Sequence, residues 1–408
     1  MSDGLKCRSC GEGTLSEVLD LGIQPLANNL LTEADLEKEP KFPLRLMVCE
    51  HCWLMQISEI VPPVDLFSDY LYFSSFSDTM LEHSRRAAHQ HTEDFSLGSE
   101  NLVVEIASND GYLLKNFKEL NIPSLGIEPA ANIAEVAEKE GIETIVEFFG
   151  TPLAQKLAAE GRGADLILGN NVFAHAPETN DFVGGLKALL NPNGVIALEF
   201  PYGVHFVERL EFDTVYHEHV YYFTLTALNP LFARHGLVIF RTEQLSIHGG
   251  SLRLYACHAG TRGIEDSAAD LLNDESSRRV NKRSYYDRFA TSVDSIRNDL
   301  LAKVTQLKAA GKSIAAYGAS AKGSTLLNYY GLGADSLDFV ADRSTHKQGK
   351  LTPGTHLPIQ PPEALLQEQP DYALLLTWNF ADEILAQQQA YRDKGGQFII
   401  PLPEVKVV

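Results

Sequence analysis

The 408-residue sequence is poor in several things, and each shortage excludes a class of function. It has no apolar run near the roughly 20 residues that a membrane helix needs, and runs such as Tyr372–Leu376 are strand length. The opening MSDGLKCRSC has no apolar stretch of the kind that begins a secretory signal, so the expected compartment is the cytoplasm. Positive charge is scarce: 34 Lys and Arg face 54 Asp and Glu, a formal net charge of −20. That balance argues against a nucleic acid polymer as partner, because phosphate backbones are bound by a basic face. A nucleotide-sized anion can still be held by local amides and a few cations. No G-x-G-x-x-G follows any strand-like run, so no dinucleotide fingerprint is offered. A chain this long exceeds one compact core and is expected to form two or three units.

Cysteine is also sparse, yet four of the five form two pairs, Cys7-Arg8-Ser9-Cys10 and Cys49-Glu50-His51-Cys52. Two C-x-x-C turns can offer four thiolates to one tetrahedral structural zinc. The 38 residues between the pairs exceed the usual ribbon spacing, and iron in a four-sulfur site is the alternative. A disulfide framework fits poorly with a reducing compartment. Cys257, alone in LRLYACHA, reads as packing.

From about residue 100 the pattern alternates. NLVVEIASNDGYLLKNF reads as a buried strand, Leu102 to Ile106, then a turn and a helix from about Gly111. SLGIEPA, ADLILGNN and GVIALEFP supply three more strands with helices between, which predicts a doubly wound parallel sheet. Ligands of such sheets lie beyond the carboxyl ends of the strands. Those ends carry Glu105, Ala107, Asn109, Gly111, Glu128, Asn170, Asn171 and Glu199. One glycine, a short polar loop and an acid ending the second strand suit a cofactor without phosphates. S-adenosylmethionine is such a ligand, with Glu128 accepting from its ribose hydroxyls. A solvated loop acid is the plain alternative for Glu128.

Together, the two C-x-x-C turns, EIASNDGYLL, EFPYGVHFVERLEFDTVYHEHVYYFT, HGGSLRLY and YGASAKGSTLLNYYG resemble the sugar C-methyltransferases, in order along essentially the whole chain. The resemblance implies an α/β protein of three units: a zinc-binding module (1–65), a class I methyltransferase Rossmann-like sheet (66–300) and a C-terminal Rossmann-like domain (301–408). It implies S-adenosylmethionine and zinc as cofactors and a nucleotide-diphosphate 4-keto-6-deoxysugar as substrate. The cofactor loop departs from the usual glycine-rich form, with Ala107 and Asn109 where glycines often stand.

Forming a carbon–carbon bond from a sulfonium methyl needs an enolate, and so a base beside a carbon next to a ketone. Histidine suits that role near neutral pH. By the resemblance, the base is His219, Glu218 orients or tunes the site, Tyr216 donates to a sugar or enolate oxygen, and His175 polarises the ketone or relays the proton. His217 is expected to face the opposite side if the run is extended. Carbon 3, beside the 4-ketone, is the commonest family target; carbon 5 is also adjacent. The nucleotide and the oligomeric state are not written in the sequence.

Other segments fall around the same cleft. YLYFSSFSDTM resembles the family segment that lays a tyrosine over the substrate, with Tyr72 favoured over Tyr70. SIHGGSLRLY offers His248 and Arg253 as a glycine turn into a strand, suited to a phosphate or equally to a hairpin with a salt bridge. In YGASAKGSTLL, Gly318-x4-Gly323 mimics a P-loop, but Lys322 precedes the second glycine and Ser324 stands where the lysine belongs. What remains is a helix N-terminus with Ser320 and Lys322, able to hold a diphosphate, with Asn171 as a partner. The charged run 273–289 reads as one helix joining the halves. An NAD-dependent nucleotide-sugar oxidoreductase would explain two α/β units but lacks the fingerprint. A non-catalytic zinc adaptor would leave the histidines idle.

Overall fold

The computed structural model describes residues 5–67, 74–76 and 78–408. Three sheets organise them. In the first, Leu15–Pro25, Lys41–Cys49 and Met55–Ile57 pair antiparallel, and Tyr221–Tyr222 adds a fourth strand beside Met55–Ile57. The N-terminal sheet is therefore completed by a strand that begins two residues after His219.

The second sheet has seven strands. Val103–Ile106, Ser124–Ile127, Thr144–Ile145, Ala164–Asn170 and Leu190–Pro201 are mutually parallel. Val103–Ile106 is buried throughout, as expected of a strand covered by helices on both faces. Chain order runs outward from Val103–Ile106 to one edge, then returns on its other side through Ala164–Asn170. The crevice between these two strands is the switch point where such sheets take ligands. Leu237–Leu245 and Ser251–His258 extend the sheet as an antiparallel hairpin. Their short connection, with Gly249 and Gly250 at positive φ, is too short for a parallel crossover. The expected parallel sheet is thus mixed at one edge.

The third sheet is parallel across Ile359–Gln360, Val340–Ala341, Ile314–Tyr317, Tyr372–Leu375 and Gln397–Ile400, with Lys406–Val407 antiparallel at the edge. Its own switch point lies between Ile314–Tyr317 and Tyr372–Leu375. Gly318 and Gly323 serve packing there: a Cβ on Gly323 would stand 2.8 Å from the Leu376 side chain.

The stretch 273–289 is not one helix. Asp266–Ser277 ends where Arg279 turns left-handed (φ 64°) and Val280 bonds back to Glu275, and Arg283–Tyr286 and Phe289–Ala309 follow. One apolar core runs through all three sheets. Among the described residues no helix is long and apolar enough to cross a membrane.

Candidate active site

The four paired cysteines meet. Their Sγ atoms lie within 4.8 Å of one another, with Cys7–Cys52 at 3.5 Å and Cys10–Cys49 at 3.6 Å. Sulfurs about 2.3 Å from a tetrahedral zinc are separated by about 3.8 Å, so the set fits the ion. These separations are far beyond the roughly 2.05 Å of a disulfide.

A cavity of about 820 Å³ lies where all three sheets converge. On the central sheet, the chain beyond Val103–Ile106 turns back through Ala107 and Asn109, both left-handed (φ 54° and 50°). Glu128 pins that loop: its Oε2 accepts from the Asn109 amide at 3.0 Å and its Oε1 from the Ala130 amide at 2.9 Å. Burial raises its pKa, and the two amides oppose the rise. Ala107, Asn109, Glu128 and Asn170 line the cavity. At 5% exposure, Glu128 is a buried wall residue rather than a solvated loop acid. Asn109 also uses its side-chain oxygen to hold the Ser74 amide at 2.9 Å. Tyr70 and Tyr72 lie outside the described residues.

The Tyr-His-Glu-His run is a turn, not an extended strand: the His219 amide donates to the Tyr216 carbonyl at 2.9 Å. A turn places residues three apart on one side, so Tyr216 and His219 meet. His219 Nδ1 lies 2.9 Å from the Thr214 carbonyl, which only accepts, so Nδ1 carries the hydrogen. Nε2 then accepts from the Tyr216 hydroxyl at 2.8 Å. The His175 ring packs edge-on to His219, with centroids 4.9 Å apart. Burial holds the His175 pKa at about 4, so the ring is neutral at physiological pH. Burial lifts Glu218 to about 7, while Asn28 Nδ2, donating to both its oxygens at 2.7 and 2.9 Å, pulls the other way. Tyr216, Glu218, His219 and His175 all reach the cavity. His217 turns away, with its Nε2 3.2 Å from the Pro43 carbonyl.

The third sheet contributes the helix Ala321–Tyr330. Ser320 caps it, accepting from the Gly323 amide at 3.1 Å, and keeps its own hydroxyl hydrogen to donate. Lys322 sits over the Trp378 ring at 5.2 Å. Ser320, Lys322 and Asn171 line the cavity.

Other expected residues are placed differently. Arg253 is 3% exposed and locked in ion pairs with Glu199 at 2.8 Å and Glu243 at 3.1 Å, away from the cavity wall. Its strand direction points it across the sheet, which is the hairpin-with-salt-bridge alternative in buried form. Gly111 is also off the wall; its φ of 77° and a would-be Cβ 3.0 Å from Ile142 explain the glycine. Glu105 is fully buried beneath the loop, neither oxygen has a hydrogen-bond partner among the described residues, and burial raises its pKa well above the ordinary range. The side chain of His248 is not described; its backbone belongs to the turn Ile247–Gly249.

Several site residues carry no signal in the sequence reading. Asn28 comes from the N-terminal module. Lys347 lines the cavity and donates to the Ala319 carbonyl at 2.8 Å. Trp378 Nε1 donates to the fully buried Asp213 at 2.7 Å, tying the third sheet to the residue before Thr214. Only Asp213 and Thr214, adjacent to the histidines, could have been suspected.

Comparison with known proteins fits this layout. Sequence-family models match residues 7–67 (zinc binding domain), 80–241 (methyltransferase domain) and 246–403 (C-methyltransferase C-terminal domain). The C-methyltransferase NovU of Streptomyces niveus is 37% identical over 405 residues, 99% of this chain and 96% of that protein. Among solved structures, the magnesium protoporphyrin IX methyltransferase of Synechocystis aligns over 44% of this chain and 79% of its own (15% identity, TM-score 0.34). The CcbJ methyltransferase of Streptomyces caelestis aligns over 43% and 90% (10% identity, TM-score 0.34). The family assignment rests on the full-length relative and the three matched models: this chain belongs to the C-methyltransferases with an N-terminal zinc-binding domain.

Proposed function

We propose that this C-methyltransferase places a methyl group on carbon 3 of a nucleotide-linked 4-keto-6-deoxysugar, through an enolate made by His219, in the cytoplasm. Residues 1–65 form the zinc-binding module, 66–300 the methyltransferase unit and 301–408 a unit that holds the nucleotide. The observation that carries the reading is the His219 imidazole. Its Nδ1–H is fixed on the Thr214 carbonyl, its Nε2 meets the Tyr216 hydroxyl, and the residue lines the cavity that Glu128 also lines.

S-adenosylmethionine, when bound, supplies the electrophilic methyl, and Glu128 and the 107–109 loop would hold its ribose and methionine ends. His219 Nε2 takes the proton from the carbon beside the ketone, and the C–H electron pair becomes the enolate. Tyr216, released from Nε2, donates to the enolate oxygen, and His175, whose ring packs edge-on to His219, is placed to relay the proton. The enolate carbon would then bond to the methyl as the sulfonium carbon–sulfur bond breaks, its electron pair staying on sulfur to leave S-adenosylhomocysteine, and His219 returns its proton to solvent. Ser320, Lys322 and the helix N-terminus receive the diphosphate, with Asn171 lining the same cavity. Four cysteines grouped to bind zinc as thiolates suit a reducing compartment.

The test is incubation with methyl-labelled S-adenosylmethionine and a panel of 4-keto nucleotide sugars. Label on carbon 3 of one of them supports the reading, and label on oxygen or nitrogen, or on no sugar, refutes it. Thermal stabilisation separates the oxidoreductase reading: S-adenosylhomocysteine at about 100 times its dissociation constant should add roughly 2.7 kcal/mol, and NAD nothing.

A further inference from the structure

The loop leaving the strand Leu15–Pro25 links three parts of the molecule. At Leu31 it bridges to Leu351 of the C-terminal unit, with backbone hydrogen bonds of 3.0 and 2.8 Å. Between these ends it passes the cavity, and Asn28 lies on the cavity wall. One amide nitrogen there spans both oxygens of Glu218, at 2.7 and 2.9 Å. Glu218 is 6% exposed, so its carboxyl has little water to orient it.

We propose that Asn28 is a positioning residue of the active site: its amide fixes the orientation and charge of the Glu218 carboxyl, so that the zinc-binding module contributes directly to catalysis. The proposal rests on the functional reading above. The surroundings make Asn28 decisive. Tyr216 and His219 share the turn with Glu218. His175, from the 3-10 turn Phe173–His175, has its ring hydrogen-bonded to the Glu218 backbone. His217 points away to Pro43. Among the described residues no charged side chain shifts Glu218; burial raises its pKa and Asn28 alone lowers it. A buried carboxyl with a single donor is free to rotate and to take a proton once that donor is gone. Strand pairing of Met55–Ile57 with Tyr221–Tyr222 keeps module and catalytic turn in register, which makes one short side chain sufficient.

The test compares wild type, Asn28→Ala, Asn28→Asp, Glu218→Gln and the Asn28→Ala/Glu218→Gln double variant, in methyl transfer across pH, with zinc content and melting temperature recorded. For Asn28→Ala the turnover should fall about tenfold or more. The limb of the pH profile set by Glu218 should move to higher pH by about one unit or more. The double variant should be no slower than Glu218→Gln alone. Asn28→Asp is isosteric and covers the case in which the alanine variant fails to fold. It too should move the limb upward, because facing carboxyls disfavour ionisation. An unmoved limb in an active Asn28 variant, or a full additional loss in the double variant, overturns the role of Asn28. Absence of any methyl transfer by the wild type overturns instead the functional reading beneath it.

Discussion

Replacing Glu128 by alanine tests the cofactor side and separates binding from loop architecture. The carboxylate now accepts from the Asn109 amide at 3.0 Å and the Ala130 amide at 2.9 Å, and the residue lines the cavity. Its removal has two effects. The Asn109 amide, in a left-handed loop, loses its acceptor, which costs about 1–3 kcal/mol of stability if no water replaces it. A bound ribose loses a charged acceptor worth about 1.5–3 kcal/mol, or roughly 10–150-fold in dissociation constant. Thermal melts without ligand read the first effect, and calorimetric titration with S-adenosylhomocysteine reads the second. Glu128→Gln keeps the shape and one acceptor oxygen, and should fall between wild type and alanine on both scales. Unchanged affinity in a destabilised Glu128→Ala protein would refute the reasoning and leave Glu128 as a loop anchor only.

Cys49→Ser should release the zinc and lower the melting temperature; metal analysis of wild type and variant decides it, and a metal-free wild type defeats it. Glu218 has a folded pKa of about 7 against an ordinary 4.5, so the folded chain holds its proton more tightly than the unfolded chain. The stability it contributes is complete below about pH 4.5 and is lost as pH rises through 7. Glu218→Gln should therefore gain on wild type between pH 4.5 and 8, by at most about 3 kcal/mol; parallel urea melts that keep a constant difference contradict this. Trp378→Phe removes the donor to buried Asp213 and should cost about 1–3 kcal/mol in the same melts; no loss would place Asp213 in a solvated setting.

Local features were the legible ones. The C-x-x-C spacing brings two thiolates together within each turn, and strands such as Val103–Ile106 announce themselves by unbroken apolar runs. Glu128 could be placed because it ends such a strand. What depends on distant contacts was not legible. Nothing in LANNLL marks Asn28 as the partner of a carboxylate 190 residues away. Arg253 beside two glycines has the look of a phosphate ligand, and only the sheet register shows its guanidinium facing Glu199. The aromatic run around His219 has strand-forming residues, yet the bond from His219 to Tyr216 closes a turn and decides which side chains share a side. The break at Arg279 has no glycine or proline to signal it.

The central claim is that His219 removes the proton beside the ketone, and hydrogen exchange reads that step without methyl transfer. In deuterated water, with a 4-keto nucleotide sugar and S-adenosylhomocysteine, wild type should exchange the acidic sugar hydrogen. His219→Asn, with fold and ligand affinity retained, should slow that exchange by about 10²–10⁴-fold. Exchange at the wild-type rate in His219→Asn, together with its loss in a His175 variant, would assign the base to His175. Unimpaired exchange in both would make the Tyr-His-Glu-His turn structural and contradict the account.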